Sequence, residues 1–237
     1  MSEVVLALSG VGFDYGSLRV IDELDLTVTR GELVVCVGPS GCGKSTLLAL
    51  FGGHLVPTRG KLERHGQSRT IYQDGGLFPW LTVRENIERG LRRGITAGER
   101  GDKVRDWLAI THLAEFAHHY PHQLSGGMRQ RVELARALAA ETDILLMDEP
   151  FSALDYQTRT RMRRELVATL TERPRTVVFV THDIEEAAQL GDRVVILGSR
   201  PTGVRRVLSL PPGRPRPPAA PGVAEAAQAI LEELGLT

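Results

Sequence analysis

The sequence predicts an α/β chain with a mixed or parallel sheet core, a β part at its N-terminus and an inserted helical subdomain. Three observations point there. Short, continuous apolar runs recur at Leu33–Val37, Ile144–Met147, Thr176–Val180 and Val194–Leu197. Helical segments alternate with them, as in sheets whose strands are covered on both faces. Between residues 80 and 125 no strand pattern occurs, which marks that stretch as the helical insertion.

The elements follow in order. Val4–Leu8 is apolar and strand-sized, a glycine turn falls at Gly16, and Leu24–Val28 alternates with the period of a half-buried strand. Leu33–Val37 then leads into a helix over Lys44–Gly52. In the insertion, Arg84–Arg93 and Asp102–His118 read as helices. Further helices are expected over Gly127–Ala140, Tyr156–Thr171 and Ile184–Leu190. Pro211–Gly222 holds six prolines in twelve residues and reads as an extended linker, with an amphipathic helix at Val223–Leu234 beyond it. The expected organisation is a main domain over residues 1–210, its helical subdomain at about 80–125, and a linker and short helix over 211–237.

Composition narrows the function. The 237 residues suffice for one large domain or two small ones. Lys+Arg and Asp+Glu both number 29, which argues against a broad basic face, so nucleic acid is not an expected partner. A hydrophobic fraction of 42% and zero net charge exclude global disorder. Cys36 and Cys42 are too few for a disulfide framework and read as reduced thiols. The start Met-Ser-Glu lacks a secretory pattern, and no apolar run approaches the ~20 residues that span a bilayer. Work at a membrane would require a partner to hold the chain there.

The chemistry begins after Leu33–Val37. Gly38-Pro39-Ser40-Gly41-Cys42-Gly43-Lys44-Ser45-Thr46 fits G-x-x-x-x-G-K-[ST] completely. Glycines let successive backbone N–H groups converge on a phosphate, and the following helix adds its positive end. Lys44 can reach the β- and γ-phosphates, and the Ser45 hydroxyl can ligate Mg²⁺. Such a loop alone leaves kinases, GTPases, helicases and transporters open. A second element narrows the choice: the strand Ile144–Met147 ends in Asp148 and Glu149. The C-terminal ends of parallel strands are where ligands sit in open α/β sheets. There Asp148 can hold Mg²⁺ through water, and Glu149 can polarise an attacking water.

Leu124-Ser125-Gly126-Gly127-Met128-Arg129-Gln130-Arg131 precedes that strand and opens a helix. With it the chain resembles the nucleotide-binding domain of ABC (ATP-binding cassette) transporters, a P-loop NTPase, from about Val11 to Arg200. Leu-Ser-Gly-Gly is that family's signature; Met128 stands where the consensus has Gln. Read physically, Ser125, Gly126 and Gly127 offer N–H groups and a hydroxyl to an anion, while Ser125 also suits a plain N-cap. The resemblance implies a head-to-tail dimer in which each signature completes the other copy's ATP site. It implies that Tyr15 stacks on adenine and that Gln73 senses Mg²⁺ and the attacking water. It places Ser152 and Asp155, in Ser152-Ala153-Leu154-Asp155, at the dimer interface, and makes His182 the switch histidine on the γ-phosphate.

A narrower resemblance joins Leu77-Phe78-Pro79-Trp80-Leu81-Thr82-Val83, Thr181–Ala187 and Ser199-Arg200-Pro201 to importers of nitrate, sulfonates, taurine and similar solutes. It implies an ATP-hydrolysing subunit on the cytoplasmic face of the membrane, paired with a second copy or a homologous subunit. It also implies a membrane permease near Phe78 and Trp80, whose rings have the equal alternative of simply packing between subdomains, and, indirectly, a substrate-binding protein. An exporter subunit or a soluble non-transport ABC ATPase would share the ATP-site residues. The segment Lys61–Tyr72 is shorter than is usual in the family, which leaves the local form of its antiparallel β part open. His118, His119 and His122 are expected in a surface or interface role, and Arg159, Arg161, Arg163 and Arg164 on a solvated helix face.

Overall fold

The computed structural model describes residues 3–72, 76–92 and 94–236. In chain order its elements are strands β1 (Val4–Tyr15), β2 (Leu18–Thr29) and β3 (Leu33–Val37), helix α1 (Lys44–Phe51), and strands β4 (Arg59–Arg64) and β5 (Ser68–Ile71). Helices α2 (Val83–Gly90), α3 (Ala97–Ile110) and α4 (Gly126–Ala139) follow, then β6 (Ile144–Asp148) and α5 (Tyr156–Glu172). The chain ends with β7 (Thr176–Thr181), α6 (Ile184–Leu190), β8 (Arg193–Leu197), β9 (Val204–Ser209) and α7 (Pro221–Leu234). The chain divides into two compact units: residues 1–68, 143–149 and 174–237 form the first, and residues 69–142 and 150–173 the second.

The first unit holds two sheets. In one, β1 lies between β2 and β4, antiparallel to both. The short segment before Tyr72 therefore still supplies a strand to an antiparallel part. In the other, β6, β7, β3 and β8 are parallel neighbours in that order, and β9 closes antiparallel on β8. Strands β3, β6 and β7 are buried at every residue. Such strands make near-continuous Val/Ile/Leu runs, which is why these three were legible. Helix α1 packs against β6, β7 and β4. Leu47, Leu50 and Phe51 join Leu6, Ile21, Val34, Leu146 and Val178 in one core. Fully burying a side chain of this size is worth roughly 1.5–3 kcal/mol.

The second unit is helical around Val83, Ile87, Val104, Leu108, Val132 and Ala135. Thr82 and Thr96 open α2 and α3 with reciprocal capping boxes to Glu85 and Glu99. The Thr96 box starts α3 earlier than the expected Asp102, and His112, at φ +53°, ends that helical stretch before His118. Helix α2 ends at Gly90, ahead of Arg93, which lies outside the described residues. A Cβ on Gly90 would stand 2.1 Å from the Arg136 carbonyl oxygen, so only glycine permits this approach of α2 to α4. Arg163, expected on a solvated face, is buried.

The proline-rich tail is held to the first unit along its length. Arg214 pairs with Asp192, and Arg216 is buried, with its Nη1 donating to the Gly191 carbonyl at 2.7 Å. The Arg216 guanidinium thus takes up the carbonyl end of α6, which bare prolines could not do. Helix α7 then packs on α6 through Val223, Ala226 and Ala188. Among the described residues no helix is long and apolar enough to cross a membrane.

Candidate nucleotide site

In the first unit three neighbouring strands end in register. Val37 of β3 pairs with Thr181 of β7, and Val180 of β7 with Asp148 of β6. The phosphate loop, His182 and the Asp148–Glu149 pair therefore leave the sheet side by side.

The loop wraps its own lysine. Lys44 is buried, and its Nζ donates to the carbonyls of Gly38 at 2.8 Å and Pro39 at 2.9 Å. An ammonium has three N–H donors, and these bonds use two. Gly43 sits at φ +122° before α1, and among the described residues no side chain caps that helix and no acid lies in its first turn. The unsatisfied amides there form a positive end suited to an anion. A cavity of about 310 Å³ opens beside the loop, lined by Pro39, Ser40, Gly41, Cys42, Ser199 and Arg200. Arg200 Nε donates to the Gly41 carbonyl at 3.1 Å, a link the sequence did not disclose. Ser45 is exposed and Thr46 is at the edge of burial. Cys36 and Cys42 are free and buried. Burial pushes the Cys36 thiol up to about 12, so it stays protonated at physiological pH.

Glu149 has the left-handed φ of +46°, rare for a residue with a side chain, and its N–H donates to the Val180 carbonyl at 2.9 Å. This turn aims its carboxylate at His182, whose Nδ1 lies 2.9 Å from Glu149 Oε1. A carboxylate only accepts, so Nδ1 carries the proton and Nε2 is left for another partner. His182 is exposed on a firmly built corner. Thr181 Oγ1 donates to buried Glu186 at 2.8 Å, and Asp183 caps α6 through the Glu186 amide. Asp148 is buried at the end of β6. The hydroxyl of Ser45 and the Asp148 carboxylate are hard oxygen donors on this edge. That set suits Mg²⁺, which takes one or two carboxylates and completes its shell with phosphate and water. Tyr15 stands at the end of β1 with its ring exposed, edge-on to Phe13 at 4.8 Å.

In the second unit Ser125 is the N-cap of α4, its hydroxyl accepting from the Met128 N–H at 3.2 Å. Leu124 is buried, Gly126 is exposed, and Gly127 and Met128 are half-buried. Gln130, one turn on, ties this end to the loop before α5. Its amide donates to Ser152 Oγ at 3.3 Å and accepts from the Ala153 N–H at 3.1 Å. Asp155 caps α5 through the Thr158 N–H, which holds its carboxyl below the usual carboxylate range. Gln73 lies outside the described residues. Its flanks do not: Glu133 of α4 accepts from the N–H of Tyr72 at 3.3 Å and of Gly76 at 3.0 Å. Asn86 clasps the next turn, accepting from the Phe78 N–H at 2.9 Å and donating to the carbonyls of Phe78, Leu81 and Thr82. Sequence reasoning quoted Gln130 within its motif without giving it a role, and passed over Glu133 and Asn86. Each is a polar side chain buried on its helix, and the sequence pattern does not show which backbone groups it meets.

A phosphate loop with a carboxylate pair and a histidine, all at the carboxyl edge of parallel strands, defines a P-loop nucleotide hydrolase. The ABC transporter family profile matches residues 21–152, more than half of the chain. The chain belongs to that family and is an ABC-type ATPase cassette. It is 44% identical over 219 residues to the aliphatic sulfonates import ATP-binding protein SsuB 1 of Rhodococcus jostii strain RHA1, covering 90% of this chain and 86% of the relative. It is 42% identical over 204 residues to the nitrate import ATP-binding protein NrtD of Synechocystis sp., covering 82% and 77%. Among solved structures, a dimeric ATP-binding cassette in a post-hydrolysis state bound to ADP and Pi aligns with TM-score 0.78 and 32% identity. That alignment covers 88% of this chain and all of the other.

Proposed function

We propose that the chain is the ATP-hydrolysing subunit of an ABC importer for a small solute such as a sulfonate, nitrate or taurine. It works at the cytoplasmic face of the membrane, held there by a permease that a substrate-binding protein supplies. The observation that carries the hydrolytic part is the Glu149–His182 contact of 2.9 Å at the strand ends beside the phosphate loop. The import part is supported by the sulfonate and nitrate relatives, and by a taurine import ATP-binding protein of Jannaschia sp. at 38% identity.

The residues divide the work. The backbone N–H groups of the loop from Gly38 to Thr46, Pro39 having none, bind the triphosphate with the Lys44 ammonium, Pro39 and Cys42 shape the loop, and Tyr15 stacks on the base. Ser45, Gln73 and Asp148 would hold Mg²⁺, which when bound draws charge from the β- and γ-phosphate oxygens. Glu149 orients the attacking water. His182, fixed by Glu149 through Nδ1, presents Nε2 to the γ-phosphate. Ser125 and Gly127, at the start of α4, close over the γ-phosphate held by a second copy. Ser152 and Asp155 line that interface. Phe78 and Trp80 meet the permease.

Replacing the water-orienting carboxylate should stop the cycle after ATP binding. Glu149→Gln is expected to lower turnover at least 100-fold and to elute as a dimer with MgATP on size-exclusion chromatography. A monomer under saturating MgATP would sink the sandwich scheme. For the import part, the tagged chain purified from its own cells in mild detergent should bring a polytopic membrane protein in stoichiometric amount. A soluble complex without one would overturn it.

A further inference from the structure

Three polar side chains of α4 stand three residues apart: Gln130, Glu133 and Arg136. Residues at this spacing neighbour one another on a helix surface. All three are buried, where a polar group is costly unless it is bonded. Gln130 reaches one segment, Glu133 and Arg136 another. Gln130 holds Ser152 and Ala153. Glu133 takes the amides of Tyr72 and Gly76, which converge on the same oxygen, Oε1. Arg136 lies 3.9 Å from that oxygen and stacks over the Phe78 ring at 5.2 Å. Phe78 in turn lies 5.7 Å from Trp80, centroid to centroid, and Trp80 is largely exposed.

We propose that Glu133 is a positioning residue that ties α4 to the Phe78–Trp80 surface, so that a shift of the signature end is delivered to those rings. A rigid helix moves as a body, and its buried side-chain bonds carry that motion to the backbone they hold. Burial alone would favour an apolar residue here. A carboxylate serves because one oxygen gathers two backbone N–H groups and faces the guanidinium that grips Phe78. Gln130 does the same for the loop before α5. The inference rests on the proposed role of the signature end at a second copy's ATP.

The test uses the full chain carrying Glu149→Gln and Trp107→Phe, which leaves Trp80 as its only tryptophan. MgATP is added, dimer formation is followed by size-exclusion chromatography, and Trp80 emission is read in the same samples. The parent should dimerise and change its emission. Glu133→Ala should still dimerise, with ATP affinity within about threefold, but lose more than two-thirds of the emission change. Glu133→Gln should keep most of it, because its amide oxygen still accepts both N–H bonds. Arg136→Met, which retains packing but not the guanidinium, should also lose most of the change, and it decides the matter if the alanine variant fails to fold. A full response in Glu133→Ala or Arg136→Met overturns the proposal, as does a glutamine variant as silent as alanine. So does a parent that dimerises while Trp80 stays unchanged. A parent that never dimerises removes the ATP-sandwich reading and the inference with it.

Discussion

At Gly43 the loop geometry admits one residue type. Its φ of +122° is open to glycine, and a Cβ there would stand 2.9 Å from Val20 Cγ1. Gly43→Ala should turn the loop away from its phosphate-binding shape. ATP affinity measured by calorimetry is expected to fall at least tenfold, together with a lower melting temperature. Positions like this were legible because the chemistry requires fixed residue types at fixed spacing, all within one short segment. Glu133 was not, because the amides it accepts lie 61 and 57 residues away. Only the fold discloses that this buried charge in the polar row of α4 has found partners. Glu149 is intermediate. Its identity was legible after an apolar strand, but its left-handed backbone and its grip on His182 were not.

The two capping boxes show how an element answers to pH. The N–H of Thr82 holds the Glu85 carboxyl below its usual range, helped by the Thr82 hydroxyl, and Thr96 does the same for Glu99. A depressed folded-state pKa stabilises the fold above the unfolded carboxylate range, near 4.3, and that contribution is lost as pH falls through the folded value. The double variant Glu85→Gln and Glu99→Gln should therefore lower the neutral plateau of the melting-temperature profile, leave its lowest-pH end little changed, and so flatten the acid limb. Thermal melts from pH 2.5 to 7 would check it; an unchanged acid limb would refute it. Helix starts were harder to read than helix existence, since the Thr96 box lies before the apolar pattern begins. The fully buried strands announced themselves. Strands β4 and β9 did not, because most of their residues face solvent and four of the six residues of β4 are charged.

For the molecule as a whole, the tail is the part whose role changed most between sequence and structure. Six prolines without apolar periodicity read as a spacer. The two arginines among them, buried or paired, make it a strap over the end of α6 and the start of β3. Arg216→Ala would leave the carbonyls of Gly191 and Pro211 without that donor, at roughly 1–3 kcal/mol for buried groups left unpaired. Urea unfolding should show a lower midpoint with the slope little changed, whereas an unchanged midpoint would mean the tail is dispensable to the fold. Architecture and chemistry were legible because both live in local patterns. The division into two units was legible only in outline, because each is assembled from separate stretches of chain.

That assembly bears on how the protein is made. Strand β3 sits between β7 and β8, and the N–H of Gly31 just before it donates to the hydroxyl of Thr176, 145 residues further along. A ribosome adding about 5–20 residues per second reaches those partners roughly 7–30 s after β3 has been polymerised. For that interval Leu-Val-Val-Cys-Val is an apolar segment with neither neighbour in place, the kind of stretch that pairs with another chain if left exposed. The strand at the centre of the finished sheet is thus the one in greatest need of a chaperone during synthesis.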